Sequence, residues 1–148
     1  DPRSLAEAER RHSLEHEPDW VSGSCLIARR TALEAVSGFD ERFFLYEEDA
    51  DLCRRLRAAG WRVVFTPGVE VRHQLGRSMA KAPARARLEY HRSHLLYYRK
   101  HNGALSRAAL VALLDARGAL SWAIAALAGD TGRRDEARTL LGLVLERP

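Results

Sequence analysis

The sequence predicts an α/β segment followed by a helical tail. Between Trp20 and Arg72, short runs of small, β-branched and aromatic residues alternate with helical patterns, and such runs are typical of buried strands. From Ala84 onward, apolar residues recur at helical spacing, which favours helices packed on one another. We expect strands at 25–28, 61–66 and 69–72, helices at 31–36 and from the acids at 47–51 to the stop at Gly60, and tail helices at 84–101, 104–128 and 135–146.

The amino-acid composition of this chain is typical of a globular protein. The 148 residues are 46% hydrophobic and 30% charged, enough for one domain or a large part of one. The first twenty residues are charged and lack the apolar stretch of a signal peptide. Cys25 and Cys53 cannot build a disulfide or metal framework. Both stand beside apolar residues, so we expect reduced core cysteines, consistent with a cytosolic protein.

The most informative stretch is an acidic run at the start of a predicted helix. Acids suit this position because the helix dipole is positive there. Asp49 shares the apolar stripe of Leu52 and Leu56, whereas Asp51 lies four residues before Arg55 and is expected to form a surface pair with it. Two interpretations stay open, helix capping and a functional carboxylate. The run comprises four carboxylates in five positions, Glu47, Glu48, Asp49 and Asp51.

A basic segment and an apolar helix follow. Between positions 75 and 102 the sequence has seven Lys or Arg residues and a single acid, Glu89. The whole chain carries a net charge of +4. The segment is either a solvated helix face or a surface for phosphates, nucleic acid or an anionic membrane. The helix at 104–128 either packs on its neighbours or lies in the plane of a membrane with Trp122 at the interface. Three charges and Gly118 argue against a span.

The stretch from Gly38 to Gly60 carries a family resemblance. It follows the pattern Gly-Phe-Asp-Glu-x-Phe-Phe-x-Tyr-x-Glu-Asp-x-Asp-Leu-x-x-Arg-x-x-x-x-Gly, which resembles the catalytic domain of family 2 glycosyltransferases, in particular their rhamnosyltransferase-like branch. The resemblance covers about residues 20 to 101. It implies that residues 20–80 are the C-terminal half of a nucleotide-diphospho-sugar transferase (GT-A type) fold, a doubly wound α/β domain. Residues 1–19 would be a polar N-terminal segment and 81–148 a helical C-terminal extension.

The resemblance also implies a reaction, the transfer of a sugar from a nucleotide-sugar donor to a glycan or lipid-linked acceptor with inversion. An in-line displacement needs a base opposite the leaving diphosphate. By motif position that base is Asp49, and Glu48 helps to orient the acceptor or the loop. The other roles implied are Trp20 and Gly23 on the acceptor side, His73 at a divalent metal, and, by charge, Arg77 at the donor diphosphate.

The nucleotide-binding half of that family does not match any part of this sequence. Its metal-binding Asp-x-Asp occurs only as Asp49-Ala-Asp51, which belongs to the helix motif. We therefore expect a fragment that is inactive alone and holds no metal itself, while the full-length enzyme uses Mg²⁺ or Mn²⁺. We also expect no nucleic-acid partner, a cytoplasmic location with peripheral contact to the inner face of the membrane, and a homodimer that covers an exposed sheet edge.

Two alternatives to an enzyme fragment remain. One is a non-catalytic helical module that binds an anionic membrane surface or nucleic acid through residues 77–100, and steep salt dependence of binding would identify it. The other is a degenerate transferase half kept as an interaction scaffold, against which the intact Glu48-Asp49 pair argues.

Overall fold

The structure, a computed structural model, describes residues 7, 10, 12–73 and 82–145, with the backbone only for 143–145. The chain divides into two compact units, the first comprising Asp1–Arg42 and Glu48–Gly76, the second Phe43–Glu47 and Arg77–Pro148. The regular elements are a 3₁₀ turn Gly23–Cys25 and the helices α1 Arg30–Ala35, α2 Glu48–Ala58, α3 Pro83–His101, α4 Ala104–Leu127 and α5 Thr131–Leu145.

The first unit is built around the contact between α1 and α2. Ala32 of α1 packs with Leu52 and Leu56 of α2, and all three are buried. Helix α2 ends as the sequence predicts, at Gly60 with φ of 86°, whereas the left-handed residue that closes α1 is Ser37, with φ of 59°, directly before Gly38 with φ of 68°. A left-handed residue at this position lets following amides bond to the last carbonyls of the helix. The partly buried side chains around this core are Leu26, Leu33, Val36 and Trp61.

The predicted strands are not formed as strands in the described residues. Residues 26–29, 61–66 and 69–72 run without regular secondary structure apart from one isolated antiparallel bridge between His16 and Phe65. A strand needs a neighbouring strand for its amides and carbonyls, and this bridge is the sole pairing in the described ranges. Ile27, expected in a buried strand, is 93% exposed. The α/β class is therefore not confirmed by the part of the chain that the structure describes, which is mostly helical.

The two cysteines differ in their surroundings. Cys53 on α2 is 1% exposed, as predicted, and burial raises the pKa of its thiol. Cys25 closes the 3₁₀ turn and is exposed, so its assignment to the core was wrong. The apolar residues that follow Cys25 suggested a strand interior, but the turn leaves its side chain at the surface.

The second unit contains the three tail helices, which pack on one another as predicted. Leu110 and Leu114 of α4 form its buried centre with Leu95 of α3. Helix α5 begins at Thr131, four residues earlier than expected. Asp130 explains the difference because its carboxylate accepts a hydrogen bond of 3.0 Å from the amide of Arg133 and caps the first turn.

Helix α4 has one packed and one uncovered face. Its buried residues, among them Leu110 and Gly118, point to the neighbouring helices, so the predicted packing is present on that side. On the opposite side runs a stripe without charges, here called the exposed face of α4. By length and composition the helix could cross a membrane, and 22% of its most apolar window is buried. The exposed face comprises Leu105, Ala109, Ala112, Leu113, Ala116, Leu120, Ala123, Ile124 and Leu127.

Candidate active site

The predicted base lies at the start of α2, in the first unit. Asp49 is the second residue of the helix, and each of its carboxylate oxygens accepts one backbone hydrogen bond. Oδ1 accepts from the amide of Ala50 and Oδ2 from the amide of Gly23, both at 2.8 Å. The second of these bonds joins two residues 26 positions apart in the chain. A carboxylate has about four acceptor sites, so two remain for a ligand.

The 3₁₀ turn that reaches Asp49 is held by its own serines. Ser22 caps the turn by accepting a hydrogen bond of 3.3 Å from the amide of Ser24, and its hydroxyl donates to Ser24 Oγ at 3.0 Å. A Cβ at Gly23 would lie 3.5 Å from Cβ and 3.6 Å from Oδ2 of Asp49. Even a methyl group at Gly23 would therefore be in van der Waals contact with the carboxylate. Two of the predicted site residues, Gly23 and Asp49, are thus in direct contact.

Glu48 leaves one polar atom without a partner. Its Oε2 is buried and has no hydrogen-bond partner among the described residues. A buried carboxylate oxygen in this state costs free energy that a donor from a bound molecule would recover. A hydroxyl or amide donor would satisfy this oxygen.

Asp51 is a structural residue and lies away from the surface. Its predicted pair with Arg55 is present, with Arg55 Nε donating to Oδ2 at 2.7 Å, but Asp51 is 0% exposed, so its surface position was wrong. The guanidinium also donates to the carbonyl oxygen of Val36 at 2.6 Å. Arg55 thereby links α2 to the end of α1, and this link holds Asp51 inside the unit.

Of the remaining predicted site residues, Trp20 and His73 make no contact with Asp49 within the described ranges. Trp20 is 51% exposed, His73 is exposed, and Arg77 lies outside the described residues. Among residues 7, 10, 12–73 and 82–145, no three His, Cys, Asp or Glu side chains come close enough to hold a metal ion. The part of the chain that the structure describes therefore does not assemble a metal site by itself. The metal role of His73 stays a prediction, and no step below is routed through a metal.

In the second unit, the segment Phe43–Glu47 is bound by α3. Tyr46 and Glu47 adopt left-handed backbone angles, with φ of 67° and 65°, which cost about 1–2 kcal/mol for each residue with a Cβ. Ser93 Oγ donates to the carbonyl of Leu45 at 2.7 Å, and Nδ1 of His94 lies 2.7 Å from Oε1 of Glu47. Such contacts are needed to keep a strained segment in place.

Aromatic rings complete this arrangement. Tyr90 stacks on His94, with ring centroids 5.6 Å apart and planes 14° from parallel, and it meets Tyr46 edge to face at 5.6 Å. Sequence reasoning missed the pairing of Glu47 with His94. A signal was present, because Ser93 is a small polar residue in the middle of a helix and such residues are buried when they have a specific partner; Ser93 is 3% exposed.

Comparisons with known proteins agree with the residue pattern. The family model described as "Glycosyltransferase like family 2" matches residues 7–90, more than half of the chain. An N-acetylglucosaminyl-diphospho-decaprenol L-rhamnosyltransferase of Mycobacterium tuberculosis is 43% identical over 96 residues, 64% of this chain and 31% of that protein. The Rhamnosyltransferase WbbL of Escherichia coli is 42% identical over 55 residues, 37% of this chain and 21% of that protein.

A third similar protein is the O-antigen biosynthesis protein RfbC of Myxococcus xanthus. It is 38% identical over 81 residues, and these make up 53% of this chain and 6% of that protein. No solved structure matches. The chain thus spans a third or less of the length of these bacterial relatives. The predicted family and its rhamnosyltransferase-like branch are confirmed, and the similarity to two named rhamnosyltransferases agrees with the predicted transferase class. Because the family model covers more than half of its residues, the chain belongs to the glycosyltransferase-like family 2.

Proposed function

We propose that the protein carrying this chain transfers L-rhamnose from a nucleotide-sugar donor to a lipid-linked or glycan acceptor, with inversion at the anomeric carbon. The names of the M. tuberculosis and E. coli relatives support rhamnose as the sugar, and the first of them supports an acceptor linked to a lipid through a diphosphate. The observation that carries the proposal is the hydrogen bond from Gly23 to Asp49.

Asp49 acts as the general base in this proposal. Inversion requires the acceptor oxygen to attack from the side opposite the leaving nucleoside diphosphate. As the new glycosidic bond forms and the bond to the diphosphate breaks, Asp49 takes the hydroxyl proton. Backbone amides fix both carboxylate oxygens and leave lone pairs free to receive it. A positioned base of this kind contributes about 10²–10⁴-fold to the rate.

Glu48 orients the acceptor. Its buried, unpartnered Oε2 accepts a hydrogen bond from a second hydroxyl of the acceptor sugar. A site built to accept a hydroxyl discriminates strongly against an analogue that lacks it, because the acceptor atom is then left unpaired. Glu48 therefore contributes to acceptor selectivity, while Asp49 performs the proton transfer.

The remaining features of the whole protein follow from the same family. We propose that the extended segments at 61–66 and 69–72 join a GT-A sheet, and that the donor is bound largely by residues outside this chain, so that the chain alone is inactive. The exposed face of α4 is proposed to contact the cytoplasmic membrane surface, where a lipid-linked acceptor would be reached. The homodimer stays a prediction, to be tested by light scattering.

The function is tested by incubating the protein that carries this chain with a nucleotide-activated L-rhamnose and a short-chain polyprenyl-diphospho-N-acetylglucosamine. We expect a product that has gained one rhamnose, with the configuration of the new linkage opposite to that of the donor by NMR. A nucleotide-activated glucose serves as the matched control donor. Retention of configuration or transfer of glucose in preference to rhamnose would contradict the proposal.

A further inference from the structure

A cavity of about 780 Å³ lies within the second unit, between α3, α4 and α5. Its lining includes none of the residues at the acidic start of α2, and sugar transfer as proposed above does not use it. Side chains of all three helices line it, including His91 of α3, Arg117 and Ser121 of α4, and Glu136 of α5. Its volume is in the range of ligand pockets.

The lining of the cavity carries a surplus of positive charge. Four guanidinium groups face two carboxylates, those of Asp135 and Glu136. Glu136 is already neutralised by Arg87, whose Nη2 donates to its Oε2 at 3.0 Å. Arg133 lies 3.4 Å from Asp130. The four guanidinium groups belong to Arg85, Arg87, Arg117 and Arg133.

Within the part of the chain that the structure describes, two groups of the lining lack an ion pair or a hydrogen bond. Arg117 makes no ion pair with any of the described residues, and Nδ1 of His91 is buried without a hydrogen-bond partner among them. The positive charge of Arg117 interacts electrostatically with His91 and helps to lower the pKa of its imidazole. An anion between these two side chains would satisfy both, whereas the amino end of α5 is already capped by Asp130.

Arg117 also borders the exposed face of α4. It follows Leu113 by four residues and precedes Leu120 by three, so the three side chains are neighbours on the helix surface. Leu113 is 65% and Leu120 63% exposed. A ligand with a charged head and an apolar tail could therefore place its head in the cavity and its tail along α4.

We propose that the cavity between α3, α4 and α5 is a binding site for a phosphate or diphosphate group, held by the guanidinium of Arg117 and the imidazole of His91. Guanidinium groups suit this ligand because their forked donors match phosphate oxygens. The phosphate comes either from a soluble diphosphate or from the headgroup of an anionic lipid. The lipid source rests on the proposed function, whereas the phosphate site itself does not.

The test measures binding of this chain to two probes in the absence of donor and acceptor sugars. Inorganic pyrophosphate is titrated by calorimetry, and phosphatidylcholine vesicles with and without phosphatidate are used in a flotation assay. The variant is Arg117→Gln, and the matched control is Arg107→Gln, an exposed arginine on the same helix outside the cavity. Arg85→Gln, which alters the same lining from α3, is the second variant if Arg117→Gln does not fold.

We expect Arg117→Gln to weaken binding about tenfold, the loss of one charge-assisted hydrogen bond, and Arg107→Gln to change it less than about twofold. Pyrophosphate binding with this pattern supports the site and a soluble source. Binding confined to phosphatidate vesicles, with the same pattern, supports the site and a lipid source. Absence of binding to both probes, or equal weakening by both variants, overturns the proposal. None of these binding results decides whether the protein transfers a sugar, because sugar transfer is measured in a separate assay.

Discussion

The amide of Gly23 donates a hydrogen bond of 2.8 Å to Oδ2 of Asp49, 26 residues further along the chain. This bond ties the 3₁₀ turn to the first turn of α2 and fixes one oxygen of the carboxylate. The other oxygen is fixed by Ala50. The predicted base is thus held in one orientation before any substrate binds, and pre-organisation of this kind is a general requirement for efficient proton transfer.

The buried pair of Asp51 and Arg55 predicts a large loss of stability when one partner is removed. Asp51→Asn leaves the guanidinium of Arg55, whose side chain is 19% exposed, without its counter-charge. We expect the free energy of unfolding in urea to fall by about 3–5 kcal/mol. Glu17→Gln breaks the exposed pair with Arg62 and should cost about 0–1 kcal/mol. Equal losses in the two variants would show that Asp51 is solvated.

The two cysteines predict a biphasic reaction with a thiol reagent. Cys25 is exposed, whereas Cys53 is 1% exposed and its pKa is raised by burial, so its reactive thiolate is both rarer and shielded. In the native chain we expect one thiol to react quickly and the second only upon unfolding. Cys25→Ser should remove the fast phase and Cys53→Ser the slow phase. Two fast phases would contradict the packing of α2.

Two helical glycines predict opposite effects of the same substitution. A Cβ at Gly118 would meet Leu141 Cδ2 at 3.0 Å, whereas a Cβ at Gly142 would meet nothing within 4 Å. Gly142→Ala should raise the free energy of unfolding by about 0.5–1 kcal/mol through helix propensity. Gly118→Ala should lower it by about 1 kcal/mol, because overpacking exceeds that gain. An equal rise for both would disprove the close contact of α4 with α5.

His91 predicts that stability decreases in mild acid. Burial, followed by the charges of Arg117 and His94, lowers its pKa below the ordinary value of 6.5, against a smaller opposing effect of Glu136. The unfolded chain then binds the proton more tightly than the folded chain, so the free energy of unfolding rises with pH across this window. The contribution of His91 is fully lost only once the pH has fallen below the depressed pKa of the folded state.

The measurement for His91 is the urea midpoint at a series of pH values between about 5 and 8. His91→Gln should reduce the slope of the midpoint with pH, because a glutamine does not titrate there. His73→Gln, which changes an exposed histidine, is the matched control. If the unaltered chain, His91→Gln and His73→Gln all show the same slope, His91 is exposed to solvent and the prediction is wrong.

Sequence reasoning predicted the helices and their ends better than the surroundings of individual side chains. Helix α2, its apolar stripe and the stop at Gly60 follow from local spacing and backbone preference, and these effects act within a few residues. The burial of Asp51 could not be predicted in this way. It depends on the carbonyl of Val36, the C-cap residue of α1, to which the guanidinium of Arg55 donates.

Local sequence also could not show which distant segments contact one another, in the strands or in the site. The residues at 61–66 and 69–72 favour extended backbone, but a strand forms only when it pairs with another strand, and the tertiary fold decides which strands pair. The motif identified Glu48 and Asp49 correctly as neighbours at a helix start. It did not reveal that Gly23 would donate to Asp49, or that His94 would pair with Glu47, because both contacts join segments far apart in sequence.

The account is tested most directly by the kcat of sugar transfer for Asp49→Asn in the protein that carries this chain, with donor affinity measured separately. We expect kcat to fall by about 10²–10⁴-fold, while the affinity for the donor stays within about twofold. Glu41→Gln, which changes an exposed acid on the approach to α2, is the control and should retain full kcat. A folded Asp49→Asn variant with unchanged kcat would show that Asp49 only caps its helix and would contradict the assignment of the base.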